Sequence, residues 1–146
     1  MENILISACL LGELCRYDGK AGKIIDLSEI KKRYNLIPVC PEVLGGLPTP
    51  RTPSERVGDR VLMRDGADVT DSFLHGAAEA YKIALEHGCK IAILKERSPS
   101  CGSGEIYNGA FSGELSEGDG VTSEYLKQRG IAVYGESQIN LLLTNG

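Results

Sequence analysis

The segment 71–94, DSFLHGAAEAYKIALEHGCKIAIL, predicts how this chain folds. From Asp71 to His87 its apolar residues recur with helical spacing, Thr70 is placed to cap the start, and Gly88 stands where a helix would end. Ile91 to Leu94 then forms a short apolar run with the length of a buried strand. A helix that leads directly into a buried strand is the repeating unit of an α/β fold.

Further strands and helices extend this pattern along the chain. Three more apolar runs have the length and character of buried strands: Asn3 to Ser7, Leu36 to Val39 and Ile131 to Tyr134. Shorter helices are expected from Asp26 to Tyr34, where Asp26 and Glu29 have the spacing of a capping box, and from Ser123 to Arg129. The sequence therefore predicts an α/β, Rossmann-like domain of three layers, with a mainly parallel sheet of about four or five strands.

Three segments lack this periodicity and are rich in Gly, Pro, Ser and charged residues. We expect loops over Gly12 to Gly22, Gly45 to Gly58 and Ser98 to Gly120. Loops of this length in a compact domain are usually functional or disordered. The second segment is rich in proline, which predicts a stiff, extended lid.

Composition restricts the class of protein. The chain has 146 residues, of which 42% are hydrophobic and 25% charged, so we expect one globular domain over residues 1–146 and exclude collagen-like, disordered and disulfide-scaffold classes. The formal net charge of -4 argues against duplex nucleic acid as a partner. No apolar run approaches the about 18 residues of a transmembrane helix, and the N-terminus lacks a signal-peptide pattern. We therefore expect a cytoplasmic protein with no membrane partner, and the sequence leaves the oligomeric state open.

The five cysteines are the next question, because thiols in a reducing compartment serve as metal ligands, catalytic groups or core residues more often than as disulfides. Cys9, Cys40 and Cys101 each follow one of the first three predicted strands. Ligands of open parallel sheets bind at the carboxyl ends of the strands, so we expect these three to converge. A closed structural zinc site normally takes four ligands, so three thiolates predict a metal site with one open position.

Cys15, Cys89 and the residues that follow Cys40 each allow more than one interpretation. Cys89 follows a helix end and is interpreted as a filler residue of the core or the surface, whereas Cys15 is either a metal-loop thiol or a spare one. Glu42 stands two residues after Cys40 and is a candidate acid–base group, with capping of a turn or pairing to Arg51 as the alternative. Gly45 and Gly46 follow, where bare backbone can approach a ligand or cluster closely.

Five short motifs in order resemble the 2-thiouracil desulfurase family, formerly a bacterial family of unknown function. They are Ser7 to Gly12 (SACLLG), Arg16 to Gly19 (RYDG), Cys40 to Glu42 (CPE), Pro48 to Arg51 (PTPR) and Ser98 to Gly102 (SPSCG). The resemblance covers nearly the whole chain, and the ordered combination is specific although each motif alone is weak.

The resemblance implies an enzyme with a [4Fe-4S] cluster, which an aerobically purified sample can lack. Cys9, Cys40 and Cys101 match the cluster ligands, and Glu42 and Ser100 match the catalytic polar residues. The implied reaction is a non-redox desulfuration of a small thiolated nucleobase, such as thiouracil, to the oxo base plus sulfide, with the substrate sulfur bound to the unique iron. Two more polar residues of these motifs are candidates for substrate binding: Asp18 and Ser98.

Two other function classes remain open at this point. One is a non-catalytic iron–sulfur or zinc-binding sensor or scaffold domain, in which Cys15 would fill the fourth ligand position. The other is a thiol redox enzyme that uses Cys9 and Cys15, which the absence of a C-x-x-C motif disfavours.

Overall fold

The computed structural model describes residues 1–19 and 25–144. In chain order the elements are β1 (Glu2–Ser7), a 3₁₀ turn (Ala8–Leu11), α1 (Ser28–Arg33), β2 (Tyr34–Val39), α2 (Pro41–Leu44), β3 (Ser54–Val57), β4 (Arg60–Met63), α3 (Thr70–Glu86), β5 (Ile91–Leu94), β6 (Glu105–Tyr107), β7 (Leu115–Glu117), α4 (Val121–Gln128), β8 (Ala132–Gly135), a second 3₁₀ turn (Glu136–Gln138) and α5 (Ile139–Thr144).

A four-stranded sheet is the centre of the fold, with strand order β2-β1-β5-β8. Every neighbouring pair runs parallel, and Leu5 of β1 lies opposite Ile37 of β2 on one side and Ala92 of β5 on the other. All four predicted strands form, within two residues of their predicted ends. The prediction of an α/β fold with a parallel sheet is therefore confirmed.

Alternation along the strands separates two apolar layers on the two faces of the sheet. Leu5 packs in one cluster with residues of α3 and α4, among them Ala80 and Leu126. Ile4 packs in the other cluster with Ile30 of α1 and with residues of α5. Because successive side chains of a strand point to opposite faces, one short apolar run supplies both layers, and helices cover both sides of the sheet.

The predicted loops are wrong over parts of two segments, because each contains hairpin strands. β3 lies within the expected proline-rich lid and pairs antiparallel with β4. β6 and β7 lie within 98–120 and pair with each other. Val61 of β4 is fully buried against Phe73 of α3, so apolar contact fixes this hairpin on the helical layer. Of the first predicted loop, residues 20–22 lie outside the described residues.

The helices form where the periodicity places them, but their ends are arranged differently. Thr70 is the first residue of α3 rather than its cap, and its backbone N–H donates to the carboxylate of Asp68 at 2.9 Å. Asp26 accepts the Ser28 N–H at 2.9 Å, yet Glu29 pairs with a lysine one turn on, so no capping box forms there. None of the helices in the described ranges is long and apolar enough to cross a bilayer.

Candidate functional site

Three adjacent strand ends bring Cys9, Cys40 and Cys101 to one cavity. β1 lies between β2 and β5 in the sheet, and one of these cysteines follows each of the three strands. Cys9 lies in the 3₁₀ turn after β1, Cys40 lies between β2 and α2, and Cys101 lies in the segment after β5. The cavity that they line has a volume of about 430 Å³, which lies in the range of small-molecule sites.

The backbone around Cys101 is fixed by the start of α4. The Ser98 hydroxyl accepts the N–H groups of Ser100 and Cys101 at 3.1 and 3.0 Å. At the helix end, the Thr122 N–H donates to the Ser100 carbonyl at 2.8 Å, and the Ser123 hydroxyl donates to the Cys101 carbonyl at 2.7 Å. Carbonyls of the loop thus occupy N–H groups that the first turn of a helix leaves unpaired. The N–H and the carbonyl of Cys101 are therefore both fixed, by the hydroxyls of Ser98 and Ser123 respectively.

The close contact between α2 and α3, made at Gly45 and Gly76, positions Cys40 and Glu42. A Cβ atom on Gly45 would lie 2.0 Å from the Ser72 carbonyl oxygen, and one on Gly76 would lie 1.9 Å from that of Pro41. Only glycines therefore allow α2 to lie this close to α3. The expectation that Gly45 makes room for a ligand or cluster is wrong, because a neighbouring helix fills that space.

Glu42 and Arg51 form a buried ion pair at the cavity wall. Arg51 Nε donates to Glu42 Oε1 at 3.1 Å, and the two side chains are 3% and 18% exposed for Arg51 and Glu42 respectively. Burial raises the pKa of Glu42, although the charge and hydrogen bond of Arg51 offset part of that rise. Arg51 Nη2 also donates to the Cys15 carbonyl at 3.1 Å, so one guanidinium joins the acid to the loop after β1. The pairing weighed as an alternative for Glu42 is present.

Three cavity thiols, those of Cys15, Cys40 and Cys101, have raised pKa values and therefore favour the neutral form. The Cys40 thiol lies 3.7 Å from the Cys15 carbonyl, and its pKa is raised by its hydrogen bond with the Cys15 thiol and by burial. Burial raises the pKa of Cys101 to about 12 against the effect of the Ser7 hydroxyl. For Cys15 the hydrogen bond with Cys40 lowers the pKa, but the bond with Cys9 and burial outweigh it and raise the pKa to about 11. Metal binding would have to displace these protons.

The donor set fits a cluster of several metal atoms better than one ion. Within residues 1–19 and 25–144, no three His, Cys, Asp or Glu side chains are placed together to hold a metal ion. A single zinc needs all its sulfur ligands about 2.3 Å from one point. In an iron–sulfur cluster each cysteine binds a different iron, so the thiols need only line one cavity around the cluster.

The other predicted site residues lie at different depths. Ser98 lines the cavity. Ser100 is fully buried behind its wall, with its hydroxyl 2.7 Å from that of Thr122. The structure does not bring Asp18 to the cavity wall, although Arg16 and Tyr17 next to it line the cavity. Cys89 is buried in the core before β5 and does not line the cavity either.

Several residues that sequence reasoning did not assign also line the cavity. Lys95 and Glu96 directly follow β5, so the same strand-end argument that singled out the cysteines points to them. Arg64 and Phe111 reach the cavity from the two hairpins. No local pattern indicates them, because the hairpins themselves were not predicted.

Comparison with known proteins gives a consistent result. The family model of 2-thiouracil desulfurase matches residues 4–138 of the chain. The uncharacterized protein YbbK of Bacillus subtilis (strain 168) is 41% identical over 150 residues, which cover 96% of this chain and 99% of that protein. A solved structure of the [4Fe-4S]-dependent thiouracil desulfidase TudS matches with a TM-score of 0.92 and 45% identity, covering 99% of this chain and 97% of that one. The predicted resemblance is confirmed, and the chain belongs to the 2-thiouracil desulfurase family.

Proposed function

We propose that this protein is an iron–sulfur-dependent desulfurase that converts a thiolated pyrimidine, such as thiouracil, to the oxo base and sulfide. The observation that carries the proposal is the cavity at three adjacent strand ends, which three cysteines line together with Glu42. The family and the likeness to a [4Fe-4S]-dependent thiouracil desulfidase support it. A cavity of about 430 Å³ suits a small base, and we place the protein, as one domain, in the cytoplasm, where thiols stay reduced.

Cys9, Cys40 and Cys101 are the residues that we assign to hold a [4Fe-4S] cluster. Four cysteines ligate such a cluster fully, so three leave one iron with an open position. When bound, the cluster supplies that iron as a Lewis acid, which polarises the carbon–sulfur bond of the substrate. The reaction exchanges sulfur for a water oxygen and needs no net oxidation or reduction.

Glu42 is the group that we assign to move protons in this exchange. Water must lose protons as its oxygen bonds to carbon, and the departing sulfur must gain them. Burial raises the pKa of Glu42, which makes the carboxylate a better proton acceptor than an ordinary glutamate. Arg51 holds Oε1, so Oε2 is the oxygen that we assign to the water.

We assign different roles to Ser98 and Ser100, because only Ser98 lines the cavity. Ser100 lies behind the wall, and its hydroxyl contacts the Cys101 thiol, so we assign it to orient and stabilise that sulfur. Ser98 lines the cavity and remains our candidate for substrate contact; Asp18, which does not line the cavity but follows the lining residues Arg16 and Tyr17, is a second candidate.

Anaerobic reconstitution followed by assay tests the function. The reconstituted protein should show the broad visible absorption of an iron–sulfur cluster and convert 2-thiouracil to uracil and sulfide. Glu42→Gln should keep the absorption and lose about 10²-fold or more in turnover, the usual effect of removing a general acid–base group. Glu86→Gln, on an exposed position at the end of α3, is the matched control and should retain turnover. Full turnover by Cys9→Ser, Cys40→Ser and Cys101→Ser would refute the proposal.

One observation favours the non-catalytic alternative. Cys15 lines the same cavity and its thiol contacts that of Cys40, so a fourth thiol is available to close the cluster. In that case Mössbauer spectra would show four thiolate-ligated irons that do not respond to thiouracil. A Cys15→Ser variant that keeps its cluster and its turnover would exclude this alternative.

A further inference from the structure

Phe111 has an unusual backbone for a bulky residue. Its φ is 55°, in the left-handed region that favours glycine, and among the described non-glycine residues only Arg97, at 66°, shares this feature. Both residues line the cavity that holds the cysteines. Strained backbone persists where the surrounding structure enforces it, and such residues concentrate at functional sites.

A buried carboxylate enforces this conformation. Glu55 of β3 is 9% exposed, and its Oε1 accepts the N–H groups of Gly109 and Phe111 at 2.9 and 3.2 Å. Gly109 is itself confined, because a Cβ there would lie 2.6 Å from a methyl group of Val57. One hairpin thus fixes the turn of the other, and the turn carries Phe111 to the cavity.

The Phe111 ring offers a flat stacking surface in the cavity wall, where the other aromatic residues of the described lining are Tyr17 and Tyr107. The guanidinium carbon of Arg64, another lining residue, lies 5.6 Å from the ring centroid. Aromatic rings and guanidinium planes are the surfaces on which proteins stack nucleobases, and stacking recognises the flat ring without reading its substituents.

We infer that Phe111 is the residue on which the pyrimidine ring of the substrate stacks, and that Glu55 acts as its positioning residue. This inference rests on the proposed desulfurase function, because it names the contact for the ring whose sulfur is removed. The cysteines and Glu42 act at the carbon–sulfur bond, whereas the hairpins supply the surface that holds the ring.

Phe111→Gly tests the ring while accommodating the positive φ. For this variant we expect the KM for 2-thiouracil to rise about tenfold, the order of effect seen on losing one base–aromatic stack, with kcat nearly unchanged. The inhibition constant of uracil should rise in parallel, because uracil keeps the ring and lacks the sulfur. Phe111→Tyr keeps an aromatic surface and is the matched control, with KM close to wild type. The cluster absorption and thermal midpoint of each variant show whether the fold is intact.

Glu55→Ala should raise KM in the same way, and the double variant Glu55→Ala/Phe111→Gly should be no worse than Phe111→Gly alone. Such non-additivity separates a residue that acts through Phe111 from one that merely supports the hairpin. Additive losses would overturn the positioning role.

A spectroscopic readout is independent of turnover, because the chain contains no tryptophan. Phe111→Trp places the variant's single tryptophan at the proposed surface, and 2-thiouracil should quench the tryptophan fluorescence saturably in the cluster-loaded protein. Leu85→Trp, on a 62% exposed position of α3, is the control and should not respond. If wild-type protein desulfurises thiouracil while Phe111→Gly has an unchanged KM, the stacking role alone fails. If wild-type protein does not desulfurise thiouracil, the proposed function fails and the stacking role with it.

Discussion

Cys89 and Cys101 are equally buried, but they lie at opposite ends of β5 and their thiols interact with different groups. They are 7% and 6% exposed and belong to the same apolar cluster. Cys89 precedes β5, and burial, with a smaller effect from Glu2, raises the pKa of its thiol. Cys101 follows β5, and beside the effect of burial its thiol interacts with the Ser7 hydroxyl, Glu42 and Cys40. One strand therefore separates a thiol among apolar neighbours from a thiol among polar ones.

The difference teaches that position relative to the sheet, rather than burial, separates the thiol that we propose as a cluster ligand from the thiol of the core. At the carboxyl ends of parallel strands the chain turns out of the sheet, and polar loop groups meet there. At the amino end of β5 the thiol simply fills space in the core as a small hydrophobe. A search for buried cysteines alone would select both.

The largest expected effect comes from replacing each of these two thiols. Cys101→Ser should abolish the visible absorption after anaerobic reconstitution and reduce turnover to background, because a serine hydroxyl is a poor ligand for iron in a cluster. Cys89→Ala should keep full iron content and turnover and cost about 1 kcal/mol of unfolding free energy, a typical loss for a small core truncation. Iron analysis, absorption and urea unfolding measure these effects. Loss of the cluster in Cys89→Ala would remove the distinction between the two ends of the sheet.

Replacing Gly76 or Gly88 should have effects of intermediate size. Gly76 packs against α2 beside Cys40, whereas Gly88 follows the end of α3 and precedes Cys89. Gly76→Ala places a Cβ 1.9 Å from the Pro41 carbonyl oxygen, so α2 must move. We expect a loss of about 2–3 kcal/mol in unfolding free energy from this overpacking, together with reduced iron content because Cys40 immediately precedes α2. Gly88→Ala is the control at the other end. There a Cβ meets nothing within 4 Å, and only the φ of 66° opposes it, at a cost of about 1 kcal/mol.

Equal losses for the two glycine variants would show that the crossing of α2 and α3 is not what holds Cys40. Full iron content in Gly76→Ala, despite its lower stability, would show that the ligand positions tolerate a shift of α2.

Sequence reasoning predicts the sheet and the convergence of Cys9, Cys40 and Cys101, because the patterns that indicate them are local. Ile91–Leu94 is a continuous apolar run, and the strand-end argument then needs only the position of the next cysteine. The hairpins have no such signal. The three residues of Leu115–Glu117 are all exposed, so no alternation of apolar and polar residues marks β7.

Contacts between distant segments could not be predicted for the same reason. Glu55 bonds to the backbone of Gly109 and Phe111, more than fifty residues away along the chain, and no spacing rule connects them. The opposite error concerns Gly45, to which a local argument assigned close approach to a ligand or cluster. In the structure Gly45 is instead needed because α3 packs against it. Sequence patterns identify which residue types occur at a strand end, whereas packing decides which side chains share a wall.

The smallest expected effect concerns Cys15, which stands between the two classes of thiol. Its pKa is raised from the usual 9.0 to about 11, so at pH 9 only about one thiol in a hundred is ionised in the cluster-free protein. Because the thiolate is the reactive form, alkylation by iodoacetamide should be slow at pH 8 and should rise about tenfold per pH unit beyond pH 9, where an ordinary thiol levels off. Peptide mass mapping after timed quenching gives the rate at Cys15. Two substitutions should shift the pH midpoint of this alkylation in opposite directions. Cys9→Ala should lower the midpoint, because the hydrogen bond with Cys9 raises the pKa of Cys15. Cys40→Ala should raise the midpoint, because the hydrogen bond with Cys40 lowers that pKa. A rate that levels off near pH 9 in all three proteins would instead place Cys15 with ordinary exposed thiols and outside the hydrogen-bonded set at the strand ends.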